Sequence, residues 1–271
     1  MSLWRPETLR IGLEPDRAAF VRVRTGRKRQ AIAHETVSWA LNPQAPDLKV
    51  LLAKFAEPEF KTRDVHIVLA DALVRYFVVE RPSGIKNRSE LIDVIAGRFE
   101  EQFGLPAADW TISADLAPGS RFHLACASPK TLIDALRSAC MSSRARLRGI
   151  TPYMVSEFNS HRRALPKRDF WFAATTADSA SLCYRGKRDW RAARYHPLGA
   201  SPLDHLPIIA ARDALREGLP EGASIQCTGV VAHPIHSGAT PPIALVGASL
   251  WPGQGPEWSS TYRTALSGVW R

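Results

Sequence analysis

The residues LRIGLEPDRAAFVRVR, at positions 9–24, decide how this chain folds. Apolar and polar side chains alternate on both sides of Glu14–Asp16, and such short alternating runs are typical of half-buried strands joined by a turn. We therefore predict a β-hairpin. Residues 30–39 continue as a third strand, and residues 47–55 carry apolar side chains at helical spacing, which gives the order β-β-β-α.

The same order returns in the second half of the chain. The residues FWFAATTADSASLCY, at positions 170–184, predict a second hairpin, followed by a strand at 188–195 and a helix at 203–215. A proline and several charges interrupt the apolar pattern at 165–169, which marks a boundary between lobes. An internal repeat of this size predicts two related α/β lobes that face a cleft.

A further group of strands and helices lies between the two repeats. A strand is predicted at 74–79, and the apolar spacing predicts helices at 87–103 and 129–140 and another strand at 145–150. We expect a helix at 152–163 to return the chain to the first lobe. The predicted subdomains are the first lobe at 1–83 and 149–166, the inserted subdomain at 84–148, and the second lobe at 167–271.

The composition is that of a globular protein with an excess of positive charge. The chain has 271 residues, with 36 Lys and Arg against 26 Asp and Glu, so its formal net charge of +10 favours acidic partners. No apolar run is long enough to span a bilayer, and the first residues lack the apolar core of a signal peptide. We therefore expect a cytoplasmic protein. The cysteines are far apart and are expected to be free, buried thiols: Cys126, Cys140, Cys183 and Cys227.

The sequence shows no motif of a catalytic or metal site. His233 and His236 have i, i+3 spacing, but the intervening proline favours a loop over a helical metal site. Nucleic-acid binding is not expected, because the basic residues are not interleaved with aromatic residues on one element. Trp251, Trp258 and Trp270 crowd the C-terminal part, where they either fill a core or anchor a partner.

The order of elements resembles one known superfold. Two β-β-β-α lobes with a subdomain inserted only in the first resemble the actin-like (ribonuclease H-like) ATPases, and within them the PilM-type pilus-assembly proteins and the cytoplasmic part of the type II secretion protein GspL. Residues 9–24 are similar to the opening hairpin of that family, 96–114 to its helix-and-strand region, and 148–165 to its strand, proline and long helix. The resemblance implies an inserted subdomain of the 1C type. The second lobe is expected to be reduced relative to that family, because only the helix at 203–215 separates its first strands from a strand predicted at 224–231.

The superfold also implies an ATP site, whose parts can be compared with this sequence. In the superfold, the hairpin turn of each lobe carries Asp and Gly, which hold Mg²⁺ and let backbone N–H groups approach phosphates. Here the first turn has Glu14 and Asp16 around a proline, the second has Thr175 and Thr176, and only Gly229 stands at the adenosine turn. We therefore expect a degenerate nucleotide site without a cofactor.

The resemblance implies a role in protein assembly rather than catalysis. We expect a pseudo-ATPase scaffold of a type IV pilus or type II secretion inner-membrane platform, held at the inner membrane by a PilN-like membrane-anchored partner. The partner's cytoplasmic tail is expected to bind beside the strand at 74–79, with Arg75 and Tyr76 as contacts. The alternative is an active actin-like ATPase or sugar-kinase relative with diverged phosphate loops, which would need ATP and Mg²⁺. Self-association of the chain stays open.

Overall fold

The computed structural model describes residues 7–24, 30–42, 46–85, 87–187, 189–199, 202–229, 242–246 and 265. The strands are β1 (Glu7–Leu13), β2 (Arg17–Arg24), β3 (Gln30–Ser38), β4 (Asp64–Leu69), β5 (Arg75–Glu80), β6 (Trp110–Ala114), β7 (Phe122–Pro129), β8 (Arg146–Pro152), β9 (Phe170–Thr175), β10 (Ser179–Arg185), β11 (Trp190–Pro197), β12 (Ile225–Gly229) and β13 (Ile243–Leu245). The helices are α1 (Lys49–Ala56), α2 (Arg88–Phe103), α3 (Lys130–Ser142), α4 (Tyr153–His161) and α5 (Pro202–Glu217).

Contacts divide the chain into two compact units. The first contains Met1–Val74, Pro129–Ser160 and Leu250–Arg271, and the second contains Arg75–Ser128 and His161–Ser249. Each unit has its own sheet of five strands, and the second also holds a sheet of three.

The sheet of the first unit has the strand order β3-β2-β1-β4-β8. The hairpin strands β1 and β2 pair antiparallel, whereas β1 with β4 and β4 with β8 pair in parallel. Leu9, Ile11 and Leu13 alternate along β1 and are fully buried, as the sequence pattern predicts for a strand with one face in a core. The β-β-β-α order of the first lobe is confirmed.

The larger sheet of the second unit repeats this arrangement, with the order β11-β10-β9-β12-β13. Again the hairpin strands β9 and β10 pair antiparallel, and β9 pairs with β12 in parallel. Helix α5 packs its apolar face on this sheet, where Leu206 lies against a core that includes Trp171, Leu182 and Ile225. The predicted internal repeat is therefore present in the structure.

The three-stranded sheet has the order β5-β7-β6 and is covered by α2. Phe77 and Phe99 form its centre, with ring centroids 5.8 Å apart. Strand β5 lies beside β11 of the larger sheet in the same unit. The Trp190 indole donates a hydrogen bond to the Asp115 carboxylate at 3.4 Å, which ties the two sheets together.

Two strands have sheet partners that the sequence did not predict. The strand predicted at 145–150 within the inserted subdomain is β8, which pairs with β4 in the first sheet. The strand predicted at 74–79 within the first lobe is β5, which pairs with β7 in the small sheet. Alternating side chains identify a strand but not its partners, because pairing depends on residues far away in the sequence. The bounds of the three predicted subdomains stay a prediction.

Candidate functional site

The first hairpin turn is a tight, two-residue connection between β1 and β2. The Glu14 N–H donates to the Arg17 carbonyl at 2.9 Å, which closes the turn around Pro15 and Asp16. Proline has no N–H group, and the Asp16 carboxylate accepts a hydrogen bond from the Arg17 guanidinium at 2.7 Å. The turn carbonyls are used as well, since the Trp39 N–H donates to Asp16 at 2.8 Å. These groups are already bonded within the protein and do not form a cradle for phosphate.

The acidic side chains of this turn are paired with arginine. Glu14 is buried and lies 3.5 Å from the Arg17 guanidinium. Asp16 is exposed and lies 2.7 Å from the same guanidinium, whose hydrogen bonds lower the pKa of Asp16 against the opposing effect of burial. A carboxylate that holds Mg²⁺ through water needs accessible oxygens. Arg17 competes with Mg²⁺ for both carboxylates, so the residues of this turn do not fit a metal-nucleotide site.

The second turn repeats the geometry of the first. The Thr176 N–H donates to the Ser179 carbonyl at 2.9 Å, and the Leu198 N–H donates to the Asp178 carbonyl at 2.8 Å. These two bonds correspond to those made by Glu14 and Trp39 in the first lobe. The Thr176 hydroxyl donates to the Asp178 carboxylate at 3.0 Å, so its polar group also serves the turn itself.

Thr175 and Gly229 meet where β9 and β12 run side by side. Thr175 is fully buried, and its hydroxyl donates to the Thr228 carbonyl at 3.0 Å. Gly229 has φ +107, and a Cβ atom there would lie 2.1 Å from the Thr175 carbonyl oxygen. Glycine is therefore required here by the close approach of two strands. This packing role accounts for Gly229 without a nucleotide.

The two predicted partner contacts lie at the start of β5. Arg75 is exposed, whereas Tyr76 is only 3% exposed. Because β11 lies beside β5, a peptide cannot extend the small sheet at this strand without displacing β11. Of the two residues, Arg75 is thus the one that is exposed.

Other polar groups have structural partners or lie outside the described residues. Asp71 accepts the Met154 N–H at 3.1 Å, and Glu80 pairs with Arg121. Within the described ranges, no three His, Cys, Asp or Glu side chains are grouped as metal ligands, and no helix is long and apolar enough to cross a membrane. The predicted loop with His233 and His236 and the C-terminal tryptophans lie outside the described residues.

One set of contacts in the second unit was not predicted from the sequence. The guanidinium carbons of Arg121 and Arg191 lie 5.3 Å and 4.5 Å from the Phe122 ring centroid, and that of Arg185 lies 4.8 Å from the Trp190 ring. Of the three arginines, only Arg121 is adjacent in sequence to the ring that it contacts, so the sequence carried a signal for that contact and not for the other two. These cation–π contacts stabilise the region where β7 meets β11.

Comparison with protein-family models and with curated protein sequences gives no match. Solved structures do match. The cytoplasmic domain of EpsL, an inner-membrane component of the type II secretion system of Vibrio cholerae, is 12% identical with a TM-score of 0.58, covering 97% of this chain and 94% of that one. A chain of the PilM-PilN type IV pilus biogenesis complex is 14% identical with a TM-score of 0.59, covering 82% of each chain.

A third similar structure is described as having an actin-like ATPase fold. It is a protein of unknown function from Bacteroides thetaiotaomicron, 12% identical with a TM-score of 0.55, covering 84% of each chain. Identities this low establish similarity of fold. The chain therefore has the actin-like fold, in the form shared with GspL- and PilM-type proteins.

Proposed function

We propose that this protein is a non-catalytic scaffold of a type IV pilus or type II secretion inner-membrane platform. The observation that carries the proposal is the closure of both hairpin turns by their own hydrogen bonds, in a fold shared with an inner-membrane secretion component and a pilus biogenesis complex. The fold alone does not assign a function, because one fold hosts many activities. The turns supply the chemical argument.

Phosphoryl transfer depends on positioned groups rather than on covalent chemistry. Backbone N–H groups and Mg²⁺ must hold the phosphates and stabilise the charge that develops on them. In the first turn these donors are reduced by Pro15, and the acids Glu14 and Asp16 are paired with Arg17. In the second turn Thr176 bonds to its own turn residues. Tight ATP binding and hydrolysis are therefore not expected.

The proposed partner is a membrane protein of the PilN type, whose cytoplasmic tail binds at the surface that contains Arg75. Arg75 is exposed at the start of β5, and arginine is among the residue types that dominate interface energetics. The net charge of +10 favours an acidic tail. Such binding would hold a cytoplasmic protein at the inner membrane through its partner.

Two measurements on the full chain test this function. Calorimetric titration with Mg-ATP is expected to give no heat of specific binding, and a low-micromolar dissociation constant would instead favour the active ATPase or sugar-kinase relative. In a pull-down, this protein should bind the cytoplasmic tail of a single-span membrane protein whose gene lies beside its own. Arg75→Glu should weaken the affinity for that tail by about thirtyfold, which is roughly 2 kcal/mol.

A matched control separates the effect of position from that of charge. Arg216→Glu reverses an exposed charge at the end of α5 and should leave tail binding unchanged. Equal losses in both variants would show that only net charge matters. Full binding by Arg75→Glu would place the tail elsewhere on the protein.

A further inference from the structure

A group of cations in the first unit has few acidic partners. We call it the basic surface and define it by five exposed residues around the start of β4 and β8: Lys61, Arg63, Arg144, Arg146 and Arg148. None of these residues takes part in the hairpin turns or the Arg75 surface described above.

The fold brings these cations together from two distant parts of the sequence. The Arg146 N–H donates to the Arg63 carbonyl at 2.5 Å, and Asp64 stands opposite Arg146 in the parallel pairing of β4 with β8. The register shifts immediately afterwards, and Arg148 is the extra residue of the resulting bulge. The Arg148 guanidinium lies 2.9 Å from the Asp64 carboxylate.

Among the described residues, Asp64 is the one carboxylate that forms an ion pair with the basic surface. Its pKa lies below the usual value, first because Arg148 hydrogen-bonds to it and then because Arg146 and Arg63 add positive charge. One acid cannot balance five cations, so the surface keeps an excess of about four positive charges.

The backbone at Arg144 has an unusual conformation for an arginine. Among the described residues, Arg144 is the only non-glycine residue with positive φ, at 54 degrees. It follows the end of α3, and its N–H donates to the Met141 carbonyl at 3.0 Å. Glycine or asparagine is favoured at this left-handed position after a helix. Arginine at this position is less favourable for the turn than glycine and places a charged, exposed side chain on the basic surface.

An exposed apolar side chain adjoins the same surface. Met141, in the last turn of α3, is 77% exposed. Cations beside an exposed apolar group match the boundary of a bilayer, where headgroup phosphates and acyl chains meet. No Phe, Tyr or Trp stands within 61–66 or 141–149 to stack on bases, and the bulge interrupts the regular edge that an added peptide strand would require.

We propose that the basic surface contacts the anionic phospholipids of a bilayer directly. The choice of a bilayer over another polyanion rests in part on the proposed function, which already places the protein at a membrane. Direct contact goes beyond attachment through a partner, because it would orient the first unit towards the lipid.

The test is co-sedimentation of the full chain with vesicles, without any partner protein. Vesicles of phosphatidylcholine with about one-third phosphatidylglycerol should bind the protein, whereas pure phosphatidylcholine vesicles should not. The double variant Arg144→Gln/Arg146→Gln should lower the partition coefficient about thirtyfold, since each basic residue near the surface contributes roughly fivefold. The control Lys130→Gln/Arg216→Gln removes the same charge from exposed positions elsewhere and should have little effect.

Arg144→Gly gives the sharpest outcome, because folding and binding should respond in opposite directions. Glycine relieves the positive φ and should raise the melting temperature, while vesicle binding should fall about fivefold. Equal losses in both double variants, or unchanged vesicle binding in Arg144→Gly, would overturn the proposal. A double variant that loses binding to single-stranded RNA but not to vesicles would show a nucleic-acid site instead. Because no partner is present, failure here leaves the scaffold function intact.

Discussion

Gly229→Ala is expected to destabilise the protein strongly, although it removes no side-chain contact. An alanine Cβ would lie 2.1 Å from the Thr175 carbonyl oxygen, so the ends of β9 and β12 must separate by about an ångström to reach ordinary contact. The positive φ costs roughly 1–3 kcal/mol for a non-glycine residue, and a weakened ladder hydrogen bond adds about 1 kcal/mol. We therefore expect a loss of about 3 kcal/mol.

Gly97→Ala is the matched control for this substitution. Gly97 lies inside α2, where an added Cβ would meet no atom within 4 Å and the backbone is helical. Alanine there should stabilise the protein by about 0.5–1 kcal/mol. Urea denaturation of both variants and the wild type measures the difference, and the melting temperature of Gly229→Ala should fall by roughly 6–12 °C. Wild-type stability in Gly229→Ala would refute the steric argument and reopen a ligand-binding role for Gly229.

Three further predictions concern charge, packing and thiol reactivity. The Asp64 pKa is lowered in the folded state, first by the Arg148 hydrogen bond. The contribution of Asp64 to folding stability is therefore present above the ordinary pKa of about 4 and is lost as pH falls through the folded value. In urea unfolding at a series of pH values, Asp64→Asn should make this loss of stability in acid smaller. Phe99→Ala should cost about 3–5 kcal/mol, because the buried ring contacts the rings of Phe77 and Trp110 in the small sheet. A smaller loss in urea denaturation would mean that the site collapses around the cavity. Burial raises the pKa of the Cys227 thiol to about 12, so iodoacetamide should alkylate the native protein first at the partly exposed Cys126. Peptide mapping identifies the labelled cysteine, and early labelling of Cys227 would contradict the structure.

The elements of the fold could be predicted because their signals are local. The alternation around Glu14–Asp16 and its return around Thr175 and Thr176 identified both hairpins, and Pro15 already indicated that the first turn is short of donors. The sheet partners of β5 and β8 could not be predicted, because nothing in a strand's own residues states which distant strand it will join.

The sequence was less informative about individual site residues. Tyr76 is buried in β5, which lies beside β11, and the residues of β5 do not reveal that neighbour. The sequence places Gly229 at an adenosine turn, whereas its close approach to Thr175 depends on strand register. Arg146 and Arg148 alternate visibly in the sequence, but the basic surface becomes evident only once β4 places Arg63 beside them.

The two-residue turns Pro15–Asp16 and Ala177–Asp178 set a length limit on any attempt to engineer nucleotide binding into this chain. Point substitutions can exchange side chains, but they cannot add the backbone N–H groups that a phosphate loop must direct outward. Insertion of glycine-rich residues would be needed in both lobes, and lengthening a loop costs only about 0.6 kcal/mol for each doubling of its length. The larger cost is local, since a longer first turn would no longer present its carbonyls to Trp39 and Leu41. A designer would therefore have to rebuild the first turn together with the segment after β3, whose N–H groups donate to the carbonyls of that turn.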